Sequence, residues 1–209
     1  MEKLVEAIRR IRKSRVKSLV DARLREFKKL GEASNKEIFK ELCFCILTAN
    51  FNAEKSIKIQ NEVDDGFLTL PEERLAEMLK KLGHRYPYTR ARYIVEARRY
   101  KNKLKNIVES LKNNEEELRN WLVKSIKGIG YKEASHFLRN IGYTNFAILD
   151  FHMIDILVRY RLIKKPKTLT KKKYLRIENI MRKIAEKLNI NLAELDLYLW
   201  YMETGKILK

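Results

Sequence analysis

At 209 residues, 45% apolar and 35% charged, the chain has room for one domain or for two interleaved lobes. No window approaches the roughly eighteen consecutive apolar residues of a membrane-spanning helix, and the charged, helix-periodic start MEKLVEAIRRIRKSRVKSLV is not built like a secretion signal, so a cytoplasmic location is expected. The net charge of +19, from 46 Lys and Arg against 27 Asp and Glu, favours a polyanion partner through steering and counterion release. A generally basic, solvated surface is the plainer account of the same number. An anionic membrane fits less well, because no helix collects its basic residues opposite a bare apolar face.

Glycine and proline are scarce, at seven and three residues, and apolar positions recur at helical spacing nearly end to end. From Glu2 to Lys29 the apolar face runs through Leu4, Val5, Ile8, Ile11, Val16, Leu19, Val20 and Leu24, with a break expected near Ser14. Ser34 or Asn35 caps the next helix, EIFKELCFCILTAN, whose apolar run is that of a buried element. Its Cys43 and Cys45 read as small buried hydrophobes. As the only cysteines they cannot supply four thiolates, which rules out an iron–sulfur cluster held by this chain alone. With only His84, His136 and His152 to help, zinc is disfavoured as well. NAEKSIKIQNEV is a further helix ending near Asp65 and Gly66. LPEERLAEMLKKLG opens at Pro71 and closes at Gly83. TRARYIVEARRYKNKLKNIVESL predicts one long basic helix, and EEELRNWLVKSI and YKEASHFLRNIG predict two more around a glycine pair. KKPKTLTKKKY, residues 164–174, reads as a basic connector that either touches phosphate or is a solvated loop. Strand-like alternation and solenoid-period repeats are absent, so the fold class is all-α.

Between the last two of those helices lies Gly128-Ile129-Gly130, too short for anything but a tight reversal. Gly128 and Gly130 lack the Cβ that would block a positive φ or a close backbone approach. Amides at the start of the following helix, with its dipole, would then face outward as an anion site. Such a helix–hairpin–helix grips the DNA backbone without reading sequence; an ordinary turn between helices would use the same glycines. Lys132 follows in the first turn of the second helix, whereas a lysine placed only for charge pairing suits a helix C-terminus better. A deprotonated lysine amine can attack carbon and form a Schiff base. Asp150, in AILDFHM, follows the apolar run Phe146 to Leu149 and opens another helical pattern. It is either a plain N-cap or a fixed carboxylate that offsets a developing cation. His152, two residues on, suits packing or a phosphate contact.

These residues resemble a known family. KGIGYKEASHFLRNIG followed by LDFH is similar to the helix–hairpin–helix, Gly/Pro-rich loop and aspartate signature of base-excision DNA glycosylases. In that superfamily a lysine two residues after the last hairpin glycine marks the bifunctional glycosylase/AP lyases; that residue is Lys132, and the aspartate falls on Asp150. ELCFCILTANFNAEKSIKIQ, LGHRYPYTRARYIVEARR and LDLYLWYMETGKILK resemble the compact archaeal-type 8-oxoguanine DNA glycosylases over nearly the whole chain. The resemblance implies a two-lobed helical glycosylase fold with no β-domain. One lobe is expected from residues 1–65 and 165–209, and a helical-barrel lobe from 66–164, with the hairpin motif at about 116–142.

It also implies a mechanism. The damaged nucleotide is flipped out of the duplex, Lys132 attacks C1′ and displaces 8-oxoguanine with help from Asp150, and the Schiff base permits β-elimination 3′ to the lesion. Gly128, Gly130 and His152 would hold the backbone. Asn50 would fill the gap left by the base, Trp200 and Tyr86 would flank it, and Lys209 would reach it. No cofactor is required, although a structural monovalent cation would be held by the main-chain carbonyls of Lys124, Ile126 and Ile129. The implied partner is double-stranded DNA containing 8-oxoguanine, with no membrane, met by a monomer in the cytoplasm at the nucleoid. A related enzyme for another oxidised base and a non-catalytic DNA-binding protein are the alternatives. One departure is Phe151, where the resemblance leads one to expect a basic residue.

Overall fold

Helix α3 (Asn35–Thr48) is buried on every side from Ile38 onward, and the helices of its unit gather round it. The computed structural model describes residues 1–209 and contains thirteen α-helices, one short 3-10 turn and no strand. Contacts divide the chain into two compact units, Leu30–Phe137 and a second made of Met1–Lys29 with Leu138–Lys209. The expected breaks at 65/66 and 164/165 are not where these units divide. The reason is α3 itself, because α4 (Ala53–Val63), α5 (Gly66–Thr69), α7 (Pro87–Ala97) and α8 (Leu104–Ser110) all pack on it, with α6 (Glu72–Lys81) packed on α7.

Within this unit most boundaries follow local chemistry. The Ser34 side chain caps α3 by accepting the Glu37 N–H, and Asn52 caps α4 by accepting that of Lys55 at 2.9 Å. Lys40 is buried in α3; burial works against its charge, but Asp64, Glu37 and Asp65 outweigh that and push its pKa up. The single long helix expected over 89–111 is instead α7, a 3-10 turn at Arg98–Tyr100, and α8. Two long-range contacts explain the break. The Arg98 guanidinium donates to the Phe67 and Gly66 carbonyls of the short helix α5, at 2.8 and 3.2 Å. Asn35, expected as a cap for its own helix, accepts the Lys105 N–H at 2.8 Å and so caps α8 from 70 residues away. Cys43 and Cys45 are fully buried, and burial pushes the Cys43 thiol up.

The other unit contains α1 (Glu2–Arg12), most of α2 (Val16–Gly31), α11 (Phe151–Arg159), α12 (Lys171–Leu188) and α13 (Leu192–Thr204). Ser14 stands at the expected break and its Oγ accepts the Val16 N–H at 3.2 Å. Arg12 donates to Leu188 O at 2.7 Å, placing a cation at the C-terminus of α12. The interior of α13 carries one charge, Asp196, which pairs with the buried Arg139 guanidinium. The basic connector is shorter than expected, since Thr170 caps α12 and Lys171–Tyr174 form its first turn. No helix is long and apolar enough to cross a membrane.

Candidate active site

Helices α9 (Glu115–Ser125) and α10 (Tyr131–Asn140) flank the glycine hairpin. They are tied side to side by the Tyr131 hydroxyl, which bonds Asn120 Oδ1, and by Arg119, which lies over the Tyr131 ring. The turn itself is pressed against α7. Gly128 has φ +83°, and a Cβ there would lie 2.5 Å from a Tyr93 ring carbon and 3.3 Å from the Arg90 guanidinium. Gly130 is different from what the sequence suggested. Its φ is not positive, and a Cβ would meet only a Glu133 carboxylate oxygen, at 3.2 Å. Its N–H is also not turned outward unoccupied, because it donates to Glu133 Oε2 at 3.2 Å. This is the return half of a capping box, with the third helical residue reaching back to the N-cap amide.

Lys132 lies in the first turn of α10, its side chain 24% exposed, with Nζ 3.1 Å from Glu133 Oε1. Glu133 was not among the candidates from sequence. The available signal was a glutamate three residues after the glycine that opens a helix. Arg90 was missed too. Nine-tenths buried, it donates to Ala49 O at 2.6 Å, and its charge interacts with Glu133, Tyr93 and Tyr86, while desolvation lowers its pKa. Asn50, the residue after that carbonyl, is exposed with φ +58°, a left-handed position that asparagine tolerates just beyond a helix end. Tyr86 is 37% exposed at the start of α7, its N–H held by His84 Nδ1 at 3.0 Å and its ring 5.1 Å from the Arg85 guanidinium. Arg90 thus joins the Asn50 loop, the Tyr86 end of α7 and the hairpin. Of the three expected cation ligands, Ile126 O accepts the Ile129 N–H at a long 3.3 Å, and the neighbouring Ser125 O takes the Arg99 guanidinium at 3.1 Å.

The other unit positions Asp150. The run before it is held by α12, where Glu178 accepts the Ala147 N–H at 2.9 Å and the Tyr174 hydroxyl donates to Ala147 O at 2.6 Å. Asp150 then caps α11, its Oδ1 accepting the Met153 N–H at 2.9 Å. His152 lies between two rings, tilted on Phe151 at 3.9 Å and edge-on to Trp200 at 5.0 Å. Phe151 is 68% exposed. The Trp200 indole N–H is buried with no hydrogen-bond partner, and Lys209 is half-buried. The candidates therefore form two groups: Lys132, Gly128, Gly130, Tyr86, Asn50 and the three carbonyls in one unit, and Asp150, His152, Trp200 and Lys209 in the other.

The all-helical fold is that of the helix–hairpin–helix 8-oxoguanine DNA glycosylases. The family model for 8-oxoguanine DNA glycosylase matches residues 20–190. An 8-oxoguanine DNA glycosylase/AP lyase of Methanocaldococcus jannaschii is 57% identical, covering 99% of both chains. One of Korarchaeum cryptofilum is 51% identical over all of this chain and 99% of the other. The M. jannaschii enzyme crystallised with a 15mer DNA containing 8-oxoguanine superposes with a TM-score of 0.96 at 56% identity, over 99% of this chain and 100% of that one. The chain belongs to the 8-oxoguanine DNA glycosylase family.

Proposed function

We propose that this chain excises 8-oxoguanine from double-stranded DNA and nicks the strand 3′ to the lesion through a covalent lysine intermediate. The observation that carries the reading is Lys132, a largely buried lysine in the first turn after a hairpin whose glycine admits no side chain. Relatives of the same length bear the name 8-oxoguanine DNA glycosylase/AP lyase.

On this reading the damaged nucleotide leaves the stack before reaction, because the sugar carbon is inaccessible inside a duplex. The neutral Lys132 amine donates its lone pair to C1′. The bond from C1′ to the base breaks, and its electron pair leaves with the base, which takes up a proton. Once the amine has given up a proton, its lone pair breaks the C1′–O4′ bond and O4′ takes a proton, which gives a protonated Schiff base; loss of a C2′ proton then expels the 3′ phosphate. The Asp150 carboxylate, fixed by the Met153 amide, assists proton removal from the amine or offsets positive charge on the sugar. Gly128, Gly130 and His152 take the backbone. Trp200, Tyr86 and Lys209 are the residues assigned to the flipped base; Trp200 is packed edge-on to His152 at 5.0 Å. Asn50, already in a left-handed bend, fills the vacated stack. Phe151 stands where the resemblance leads one to expect a basic residue, so no phosphate contact is assigned to it; the roles of Lys132 and Asp150 do not depend on it. The carbonyls of Lys124, Ile126 and Ile129 suit a hard monovalent cation, which would anchor the hairpin rather than react; the long Ile129–Ile126 bond leaves Ile126 O with acceptor capacity.

Matched duplexes carrying 8-oxoguanine, thymine glycol or no lesion test the proposal by strand incision. Cleavage of the 8-oxoguanine strand well above the other two is expected. Equal cleavage at thymine glycol would point to another oxidised base, and binding without incision would make the chain a non-catalytic DNA-binding protein.

A further inference from the structure

Neighbouring residues on an α-helix leave the axis about 100° apart and do not ordinarily face each other. Lys132 and Glu133 nevertheless meet, with Nζ 3.1 Å from Oε1. They do so because Glu133 turns back over the helix N-terminus, where its other oxygen accepts the Gly130 N–H. The pair is largely out of water, at 24% and 13% side-chain exposure, unlike the hairpin's other lysine pair, Lys127–Glu96, whose lysine is 65% exposed. The buried Arg90 guanidinium also interacts with the Glu133 charge. A side chain at position 130 would crowd the same carboxylate.

We propose that Glu133 is a positioning residue for the nucleophile: its carboxylate ties Lys132 Nζ to the Gly130 amide, so that the hairpin which seats the DNA backbone also fixes the attacking nitrogen. This rests on the reading of Lys132 as the nucleophile. A lysine amine rides on a flexible four-carbon stem, and a misplacement of about 1 Å can cost on the order of a hundredfold in rate. The carboxylate also remains beside the nitrogen when it becomes the cationic Schiff base. A capping role alone asks less of residue 133, because glutamine serves at this helical position as well as glutamate does.

Glu133→Gln separates the two roles, keeping an acceptor for the Gly130 amide and removing the charge that holds Nζ. The readouts are the single-turnover rate of borohydride-trapped adduct on an 8-oxoguanine duplex, the Kd for that duplex, and the melting temperature. The expected result is an adduct rate lower by about tenfold or more, with Kd and melting temperature those of the wild type and part of the rate recovered in Glu133→Asp. A wild-type rate in Glu133→Gln, a rate loss matched by a loss of affinity or stability, or no recovery in Glu133→Asp would overturn the proposal. Lys132→Gln is run alongside: if it still traps, the reading beneath the proposal fails; if it traps nothing while Glu133→Gln is unaffected, only the positioning role fails.

Discussion

Two aspartates in the same unit meet opposite fates. Asp150 is fixed at a helix start by the Met153 amide, whereas Asp196 is buried inside α13 against Arg139. Burial pushes Asp196 up to about 6; the Arg139 guanidinium opposes this, and the Asp150 charge adds to it. The folded protein therefore keeps a proton that the unfolded chain has lost above about pH 4. Stability from this group is complete below that pH and is lost as pH rises to about 6. The stability of the wild type relative to Asp196→Asn, measured by denaturant unfolding at each pH, should fall across that window and be flat above it. A difference independent of pH would contradict the assignment. Asp150 was legible in the sequence because it ends an apolar run and begins a helix. Asp196 was not, because its partner Arg139 is 57 residues away and nothing in LAELDLYLW marks that position as paired.

The hairpin shows what a sequence signal tells at the scale of an element. Two glycines in GIG look equivalent, yet only Gly128 has a positive φ and a backbone pressed on the Tyr93 ring. Gly128→Ala combines a left-handed strain of roughly 1–2 kcal/mol with overpacking of about 1–3 kcal/mol. For a chain of this size that lowers the melting temperature by roughly 4–20 °C. Gly130→Ala asks only that the flexible end of Glu133 move by a few tenths of an ångström, so its melt should stay close to that of the wild type. Equal losses in the two variants would refute the distinction. The helix starts at Ser34 and Asn52 and the break at Ser14 were readable because each is set by a side chain within three residues. The interruption between α7 and α8 was not. The contacts of Arg98 with α5 and of Asn35 with Lys105 belong to the packed unit, and the local sequence there is good helix throughout.

For the whole molecule, the all-α class followed from helical periodicity and few glycines and prolines, and family membership from motifs spread over the chain. Unit boundaries were out of reach, because they depend on which helices choose α3 as a neighbour. Glu133 escaped notice for a related reason: an acidic residue beside a lysine on a helix looks like alternating surface charge until the burial of both is known. The net charge of +19 fits a DNA partner but says nothing of chemistry, since steering and phosphate binding need no nucleophile. The central claim is that the hairpin lysine makes the covalent bond. Borohydride trapping on an 8-oxoguanine duplex tests it most directly, comparing the wild type with Lys132→Gln and measuring duplex binding in parallel. The wild type is expected to give a trapped adduct and Lys132→Gln none, with duplex binding retained; an adduct that persists in Lys132→Gln would rule out Lys132 as the nucleophile.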